Sequence, residues 1–312
     1  MAESIKLSII VVSFNTREIL RDCLSSIGKA GIRCAYEIIV VDNESRDGSV
    51  EMLKRDFSGV VLIENRQNAL FAKANNQGAA VARGEYLLLL NSDTLVEKDN
   101  LDVLVKFLDD SPRTVACAGP IVLNDDRTEQ SSGYALPSIA ERVSMVLHLN
   151  RLLPKFLFRR LLPEGIPGVY DGTHKVGWIS GCCMLIRRSV YMELGGLNEA
   201  LEFYGEEPEF CWRLRKAGYE TWLVHDASII HLGGKSSGDA QAAFLKDETG
   251  AMRRYTALQK HTVGIRKSIV MSRIVILSAM AKYLVSGRDK KKYFRNAISR
   301  ERAIVRYMKK AL

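Results

Sequence analysis

Apolar runs rich in β-branched residues recur along the first part of the chain, each followed by a stretch with helical spacing. This alternation restricts the fold more than any other feature. Leu7 to Ser13, Tyr36 to Asp42, Val60 to Glu64, Tyr86 to Leu90 and Val115 to Gly119 read as strands. Arg17 to Ala30, Ser49 to Asp56, Leu70 to Arg83 and Leu101 to Asp109 read as helices with polar faces. Strands and helices in alternation build a mostly parallel central sheet flanked by helices, so the expected class is α/β. Ligands of such sheets collect outside the carboxyl ends of the strands. That rule directs attention to Ser13-Phe14-Asn15, Asp42-Asn43, Asn65 and Asn91-Ser92-Asp93.

From Leu123 to Thr173 the pattern is less regular, with Pro137, Pro154, Pro163 and Pro167 interrupting short apolar pieces. An excursion or lid over the sheet face is expected there. Val176 to Ile186 then reads as a strand, Ser189 to Leu194 as a short helix ending at Gly195-Gly196, and Glu207 to Ala217 as a helix closed by Gly218. Thr221 to His225 reads as the last strand. With 312 residues, 47% of them hydrophobic, the chain has apolar mass for one large core plus an appendage. The opening MAESIKLSIIVVSFN lacks the basic start and separate apolar stretch of a secretory signal, which places the expected catalytic part in the cytoplasm. The six cysteines, scattered apart from the adjacent Cys182-Cys183, fit packed thiols better than a zinc knuckle or disulfide framework.

Charge divides the chain. The formal net charge is +9, yet the segment from Arg253 to Leu312 holds 17 Lys and Arg against Asp289 and Glu301. That is +15 in the tail and −6 elsewhere, which suits attraction of the tail to an anionic surface. From about Ile265 the tail reads as amphipathic. Arg273 and Lys282 leave eight residues between them, against the roughly 20 apolar residues of a spanning helix. Ile269, Ile274, Leu277 and Leu284 are expected on a broad face, with Arg288, Lys290 and Arg295 beyond it, an arrangement suited to a lipid headgroup boundary. A helix folded back on the domain with a solvated basic face is the alternative.

Four clusters carry chemistry. Asp42 ends a strand and precedes the turn-rich Asn43, Ser45, Asp47, Gly48 and Ser49. Such a turn is common as plain capping, although a carboxylate there can also accept from a nucleobase imide or a ribose hydroxyl. Asn91-Ser92-Asp93 follows an apolar strand, where Asp93 is suited either to capping or to holding a divalent cation against a diphosphate. Phe203 to Glu209 is an acidic cluster opening a helix; the helix dipole explains part of it, and a general base for an attacking hydroxyl explains Glu206 or Glu207. His231, before Gly233-Gly234-Lys235, is a candidate to complete the metal shell begun by Asp93.

In order, VVSFN, VDNESRDGS, ENRQNALFAKANNQGAAVARGEYLLLLNSD, SGCCMLIRRSVYMELGGLNEALEFYGEEPEFCWRLRKAGY and HLGGKSS resemble glycosyltransferase family two, and within it the bacterial rhamnosyltransferase-like branch. The resemblance spans about Leu7 to Ser237. It implies a GT-A fold, a nucleotide-sugar donor, Mn²⁺ or Mg²⁺, and inversion at the anomeric carbon. It implies a catalytic domain over 1–240, with a nucleotide-sugar half to about 120 and an acceptor half beyond, followed by a basic helical region over 241–312. By the same resemblance Ser13, Asn15, Asp42, Asn43, Asn75, Asn76, Asn91, Ser92 and Asp93 lie on the donor side. Gly181, Cys182 and Tyr204 lie on the acceptor side, Asp93 and His231 hold the metal, and Glu207 is the base in preference to Glu206. Asn91 stands where many members have the first aspartate of an Asp-X-Asp pair, which implies fewer protein charges on the ion.

The implied reaction transfers a sugar, with dTDP-rhamnose the leading donor, to a glycan or lipid-linked glycan in cell-envelope polysaccharide synthesis. The implied location is the cytoplasmic face of the membrane, with the tail touching anionic lipid; oligomer formation is compatible with the sequence. Two other classes compete. A sugar nucleotidyltransferase calls for a Gly-rich, Arg-containing phosphate loop after the first strand, where this chain has Ser13-Phe14-Asn15-Thr16. A nucleic-acid binder has only the basic tail in its favour, without a base-reading module, so no nucleic-acid partner is expected.

Overall fold

The computed structural model describes residues 4–148, 152–154, 157, 172–201, 205–233 and 248–312. The first half runs β1 (Leu7–Ser13), α1 (Arg17–Lys29), β2 (Tyr36–Asp42), α2 (Ser49–Asp56), β3 (Val61–Glu64), α3 (Leu70–Val81), β4 (Tyr86–Asn91), β5 (Thr94–Val96) and α4 (Asn100–Asp110). β6 (Val115–Leu123), β7 (Glu129–Gln130), β8 (Gly133–Tyr134) and α5 (Ile139–Leu147) follow. Then come β9 (His174–Val176), β10 (Trp178–Ile179), β11 (Cys183–Arg187), α6 (Arg188–Glu193), α7 (Glu206–Lys216) and β12 (Glu220–His231). The C-terminal region is α8 (Glu248–His261), α9 (Ile265–Val285) and α10 (Arg288–Lys310).

The main sheet has the order β3-β2-β1-β4-β11-β6-β12-β5. β3, β2, β1 and β4 are all parallel. β11 then enters antiparallel between β4 and β6, and β12 is parallel to β6. The sheet is therefore mixed, and helices cover both faces. Alternation along β1 explains why: Leu7, Ile9 and Val11 face a core that includes Leu20 of α1 and Leu104 of α4, whereas Ile10 faces Ala74 of α3 and residues of α6 and α7. β4 divides likewise, with Leu88 and Leu90 on one side and Leu87 and Leu89 on the other. Burial on both faces is what turns these strands into uninterrupted apolar runs.

Leu88 is fully buried and lies opposite Ile9 on one neighbour and Leu185 on the other. Leu88→Ala should destabilise the protein by about 3 kcal/mol, because the lost transfer energy adds to a cavity the sheet cannot close. Urea unfolding measures this, and a loss below about 1 kcal/mol would contradict the packing described.

Several boundaries differ from the sequence expectation. Val176 to Ile186 is not one strand: Gly177 and Ser180-Gly181-Cys182 break it into β9, β10 and β11, which join different partners. β12 runs through to His231 rather than stopping at His225, with a shift in its pairing to β6 between Val224 and Ser228 that the sequence pattern hides. In the irregular stretch, α5 packs on α9, and residues 149–151, 155–156 and 158–171, where an excursion or lid is expected, lie outside the described residues. α9 itself is long and apolar enough, by length and composition, to cross a membrane. Counting residues between Arg273 and Lys282 understated it, because isolated basic residues do not interrupt a helix of 21. All six cysteines are free thiols, five of them buried.

Candidate active site

The parallel strands β1, β2 and β4 end on one side of the sheet, and their loops are laced together there. Ser13 lies opposite Asp42 in register, and the Asn43 N–H donates to the Ser13 carbonyl. Buried Ser13 Oγ is 3.1 Å from Thr16 Oγ1, which in turn donates to Ser92 Oγ at 3.4 Å. Asn15 adopts a left-handed φ of 54°, which asparagine tolerates. Its N–H donates to Ser45 Oγ and its Oδ1 accepts from the Arg46 N–H, each at 2.8 Å.

Asp42 is buried, and its Oδ1 accepts from the Ser45 N–H at 2.8 Å while Oδ2 has no hydrogen-bond partner. Burial, reinforced by Asp47 and Glu64, raises its pKa. An orphaned buried carboxylate oxygen is costly, and a ligand N–H or O–H removes that cost. Asn43 Oδ1 accepts from Asn65 Nδ2 at 2.9 Å and from the Ala69 N–H at 3.3 Å, holding the start of α3. Asn75 donates to the Phe71 carbonyl at 3.0 Å. Asn76 donates to the Leu197 carbonyl and to Glu199 Oε1, and accepts from the Tyr191 hydroxyl and the Leu197 N–H. All four hydrogen-bonding positions of its amide are thus committed to tying α3 to α6 and the segment that follows it.

Asp93, fully buried, and His231, at the end of β12, come together across the pairing of β5 with β12. Nε2 of His231 is 3.3 Å from Asp93 Oδ1, and the Leu232 N–H donates to the Asp93 carbonyl. On the other side of the ring, Nδ1 is 3.0 Å from Gln130 Oε1. Gln130 Nε2 donates to the His231 carbonyl at 2.7 Å and to Asn124 Oδ1 at 2.8 Å, which fixes the orientation of its amide. His231 therefore carries a proton on Nδ1 and turns Nε2 toward Asp93. Two acceptors 3.3 Å apart call for a positive charge, either a second ring proton or a divalent cation. Among the described residues no group of three or more His, Cys, Asp or Glu side chains is placed to hold a metal. Asp93 and His231 fit an ion that takes its remaining ligands from substrate oxygens and water, as Mg²⁺ commonly does.

The insertion of β11 brings the acidic helix to this point. The Asn91 N–H donates to the Cys182 carbonyl at 3.0 Å, so the residue before Ser92-Asp93 adjoins the residue after Gly181. A methyl group at Gly181 would collide with the Glu207 carboxylate as it stands, so a side chain here would force Glu207 to move. The Gly181 N–H also reaches that carboxylate, and Cys182 feels both Asp93 and Glu207 electrostatically. Asp93 and Glu207 thus both lie within electrostatic reach of Cys182. Gly205, at φ 111°, caps α7 and sets Glu206 and Glu207 in its first turn. Burial and the adjacent Glu207 hold the Glu206 carboxyl well above the usual range, and its Oε2 has no partner. Burial raises Glu207 as well, although backbone N–H groups oppose the shift. Tyr204, Lys235, Ser236 and Ser237 lie outside the described residues.

Thr16, Gln130 and Tyr134 were not singled out from the sequence. Tyr134 stacks on Trp178 with ring centroids 4.1 Å apart and lies within electrostatic reach of Glu207. None of the three sits in a motif whose spacing marks it; β7 and β8, which carry Gln130 and Tyr134, are two residues each.

Fold and site together define a glycosyltransferase with a nucleotide-diphospho-sugar type of sheet. Residues 8–195, more than half of the chain, match the family described as Glycosyl transferase family 2, and the protein belongs to that family. It is 27% identical over 256 residues to N-acetylglucosaminyl-diphospho-decaprenol L-rhamnosyltransferase of Mycobacterium tuberculosis, spanning 77% of this chain and 80% of the relative. It is 23% identical over 237 residues to the rhamnosyltransferase WbbL of Escherichia coli K12, spanning 72% and 82%. Among solved structures, mannosyltransferase PcManGT of Pyrobaculum calidifontis, in complex with GDP-Man and Mn²⁺, superposes with TM-score 0.55 at 14% identity over 98% of this chain and 86% of that one. That likeness carries the GT-A fold.

Proposed function

We propose that this glycosyltransferase moves L-rhamnose from dTDP-rhamnose to a lipid-linked glycan by a single inverting displacement, with Mn²⁺ or Mg²⁺ at the Asp93–His231 pair. One observation supports the reading: Cys182, whose carbonyl accepts from the Asn91 N–H, lies within electrostatic reach of both Asp93 and Glu207. Asp42, with its orphaned Oδ2, is assigned to the nucleotide, accepting from the base imide or a ribose hydroxyl. Ser13, Asn15, Asn43 and Ser92 shape the pocket around it. A divalent cation, when bound, neutralises charge developing on the departing diphosphate. Glu207 takes the proton from the acceptor hydroxyl as that oxygen attacks the anomeric carbon from the face opposite the leaving group, so the anomeric configuration inverts. The names of the two rhamnosyltransferase relatives support the sugar, and the diphospho-decaprenol in the first supports a lipid-linked acceptor. Mn²⁺ in the PcManGT complex supports the metal. We assign the site of action to the cytoplasmic face of the membrane, as part of cell-envelope polysaccharide synthesis.

A panel of nucleotide sugars incubated with the purified chain and either cation tests the reading, followed by NMR of the product's anomeric carbon. Expected are dTDP release from dTDP-rhamnose and inverted configuration. A chain that turns over no nucleotide sugar, or one that instead joins a sugar phosphate to a nucleoside triphosphate with release of pyrophosphate, refutes it.

A further inference from the structure

α9 poses a choice between crossing a bilayer and lying on one. Its 21 residues span roughly 30 Å, enough to cross. Its packing argues against that. α10 folds back along α9 and bears exposed Lys290, Lys292, Arg295, Arg300 and Arg302. A bilayer core that took in α9 would have to take in those charges too, each of them unfavourable there.

The outward side of α9 has a definite pattern. Arg266, Val270, Arg273, Leu277, Met280 and Leu284 are all exposed and follow one another in steps of four and three residues, so they form one stripe. Leu277 is 67% exposed and Leu284 77%, which separates them from the packed residues of the same helix, Ile269 and Met271. Scattered apolar side chains on a surface are ordinary, whereas a continuous row ending in basic residues marks a contact. α5 extends it. Lys282 Nζ is 3.1 Å from His148 Nε2, which brings the exposed Leu147 to the C-terminal end of α9.

We infer that α5 and α9 together seat the protein on an anionic lipid bilayer, with α9 lying in the membrane plane. Val270, Leu277, Met280, Leu284 and Leu147 enter the boundary between headgroups and acyl chains. Arg266, Arg273 and the basic residues of α10 meet lipid phosphates. The inference deepens the lipid-linked acceptor proposed above and rests on it for its purpose. α5 begins five residues after Tyr134 of β8, next to Glu207, while α8 packs on both α7 and α9, with Leu258 against Gly205. The seat therefore connects by short paths to the helix that carries the base, and an acceptor anchored in the same bilayer arrives on that side.

Co-sedimentation of the full chain with vesicles of phosphatidylcholine plus phosphatidylglycerol, and with phosphatidylcholine alone, tests the seat. The mixed vesicles should bind it, and alkaline carbonate should strip it off. Leu277→Glu combined with Leu284→Glu should weaken binding about tenfold or more, and Leu147→Glu several-fold, with thermal unfolding unchanged because all three side chains are exposed. Absence of binding to mixed vesicles, resistance to carbonate, or wild-type binding by both variants would overturn the inference. Hydrolysis of dTDP-rhamnose without lipid should be equal in all three proteins. If the wild type hydrolyses no nucleotide sugar, the enzymatic reading falls while the vesicle result stands.

Discussion

Glu207→Gln is expected to lower sugar transfer by about 10²- to 10⁴-fold with little change in donor KM, because it removes the proton acceptor and keeps the shape. The amide has the same shape as the carboxylate beside Gly181, so donor binding should be undisturbed. Wild-type activity should have its acid limb above the usual carboxylate range. Burial raises the pKa of Glu207, and the base is lost as pH falls through that raised value. Steady-state kinetics across pH decide this; transfer within a factor of about three of wild type in Glu207→Gln removes the residue from the chemistry.

The adjacent Glu206→Gln gives the contrasting result. Glu206 is held well above its ordinary pKa by burial and by Glu207, so the folded chain binds a proton there that the unfolded chain releases. Its stabilisation is full in acid and is lost as pH rises through the folded value. Glutamine carries no such dependence, so the variant should gain thermal stability over wild type as pH rises above the ordinary carboxylate range and gain little in acid. Retained transfer in Glu206→Gln beside its loss in Glu207→Gln separates the two carboxyls.

Asp93→Ala should reduce transfer by about 10³-fold or more, in keeping with the several kcal/mol that charge neutralisation on a leaving diphosphate supplies. Mn²⁺ binding in the presence of dTDP, followed by electron paramagnetic resonance, should weaken in parallel. His231→Ala should have a smaller effect on both, since a neutral ligand is lost while the carboxylate stays. Gln130→Ala should fall between wild type and His231→Ala, its part being only to fix the ring. Near-native turnover and Mn²⁺ binding in Asp93→Ala would refute the assignment.

The parallel half of the fold was legible because its strands are buried on both faces and its helices have one apolar side. β1, β2 and α2 fall within the expected bounds, and β3 and β4 differ by one residue. His231 was singled out for the Gly233-Gly234-Lys235 after it, and its Nε2 does approach Asp93 to 3.3 Å. What escaped was local chemistry without periodicity. Nothing in Ser180-Gly181-Cys182 announces that a strand breaks there, turns antiparallel and leaves a gap for Glu207. Gln130 is invisible for a related reason: its role depends on a partner 101 positions away. In the tail, the spacing of Arg273 and Lys282 did not show that α9 runs unbroken over 21 residues and is apolar enough by composition to span a membrane.

The Asn91–Cys182 bond has a consequence for anyone recombining parts of this enzyme. That bond ties the end of β4, two residues before Asp93, to the segment beside Glu207 within one sheet. A chimera that imports a foreign acceptor half must keep β11 aligned against β4 to the residue. A slip of one place displaces the glycine by about 3.3 Å and turns it to the opposite surface. Graft points inside α5 or after β12 preserve that alignment, whereas a seam between β10 and β11 forfeits it.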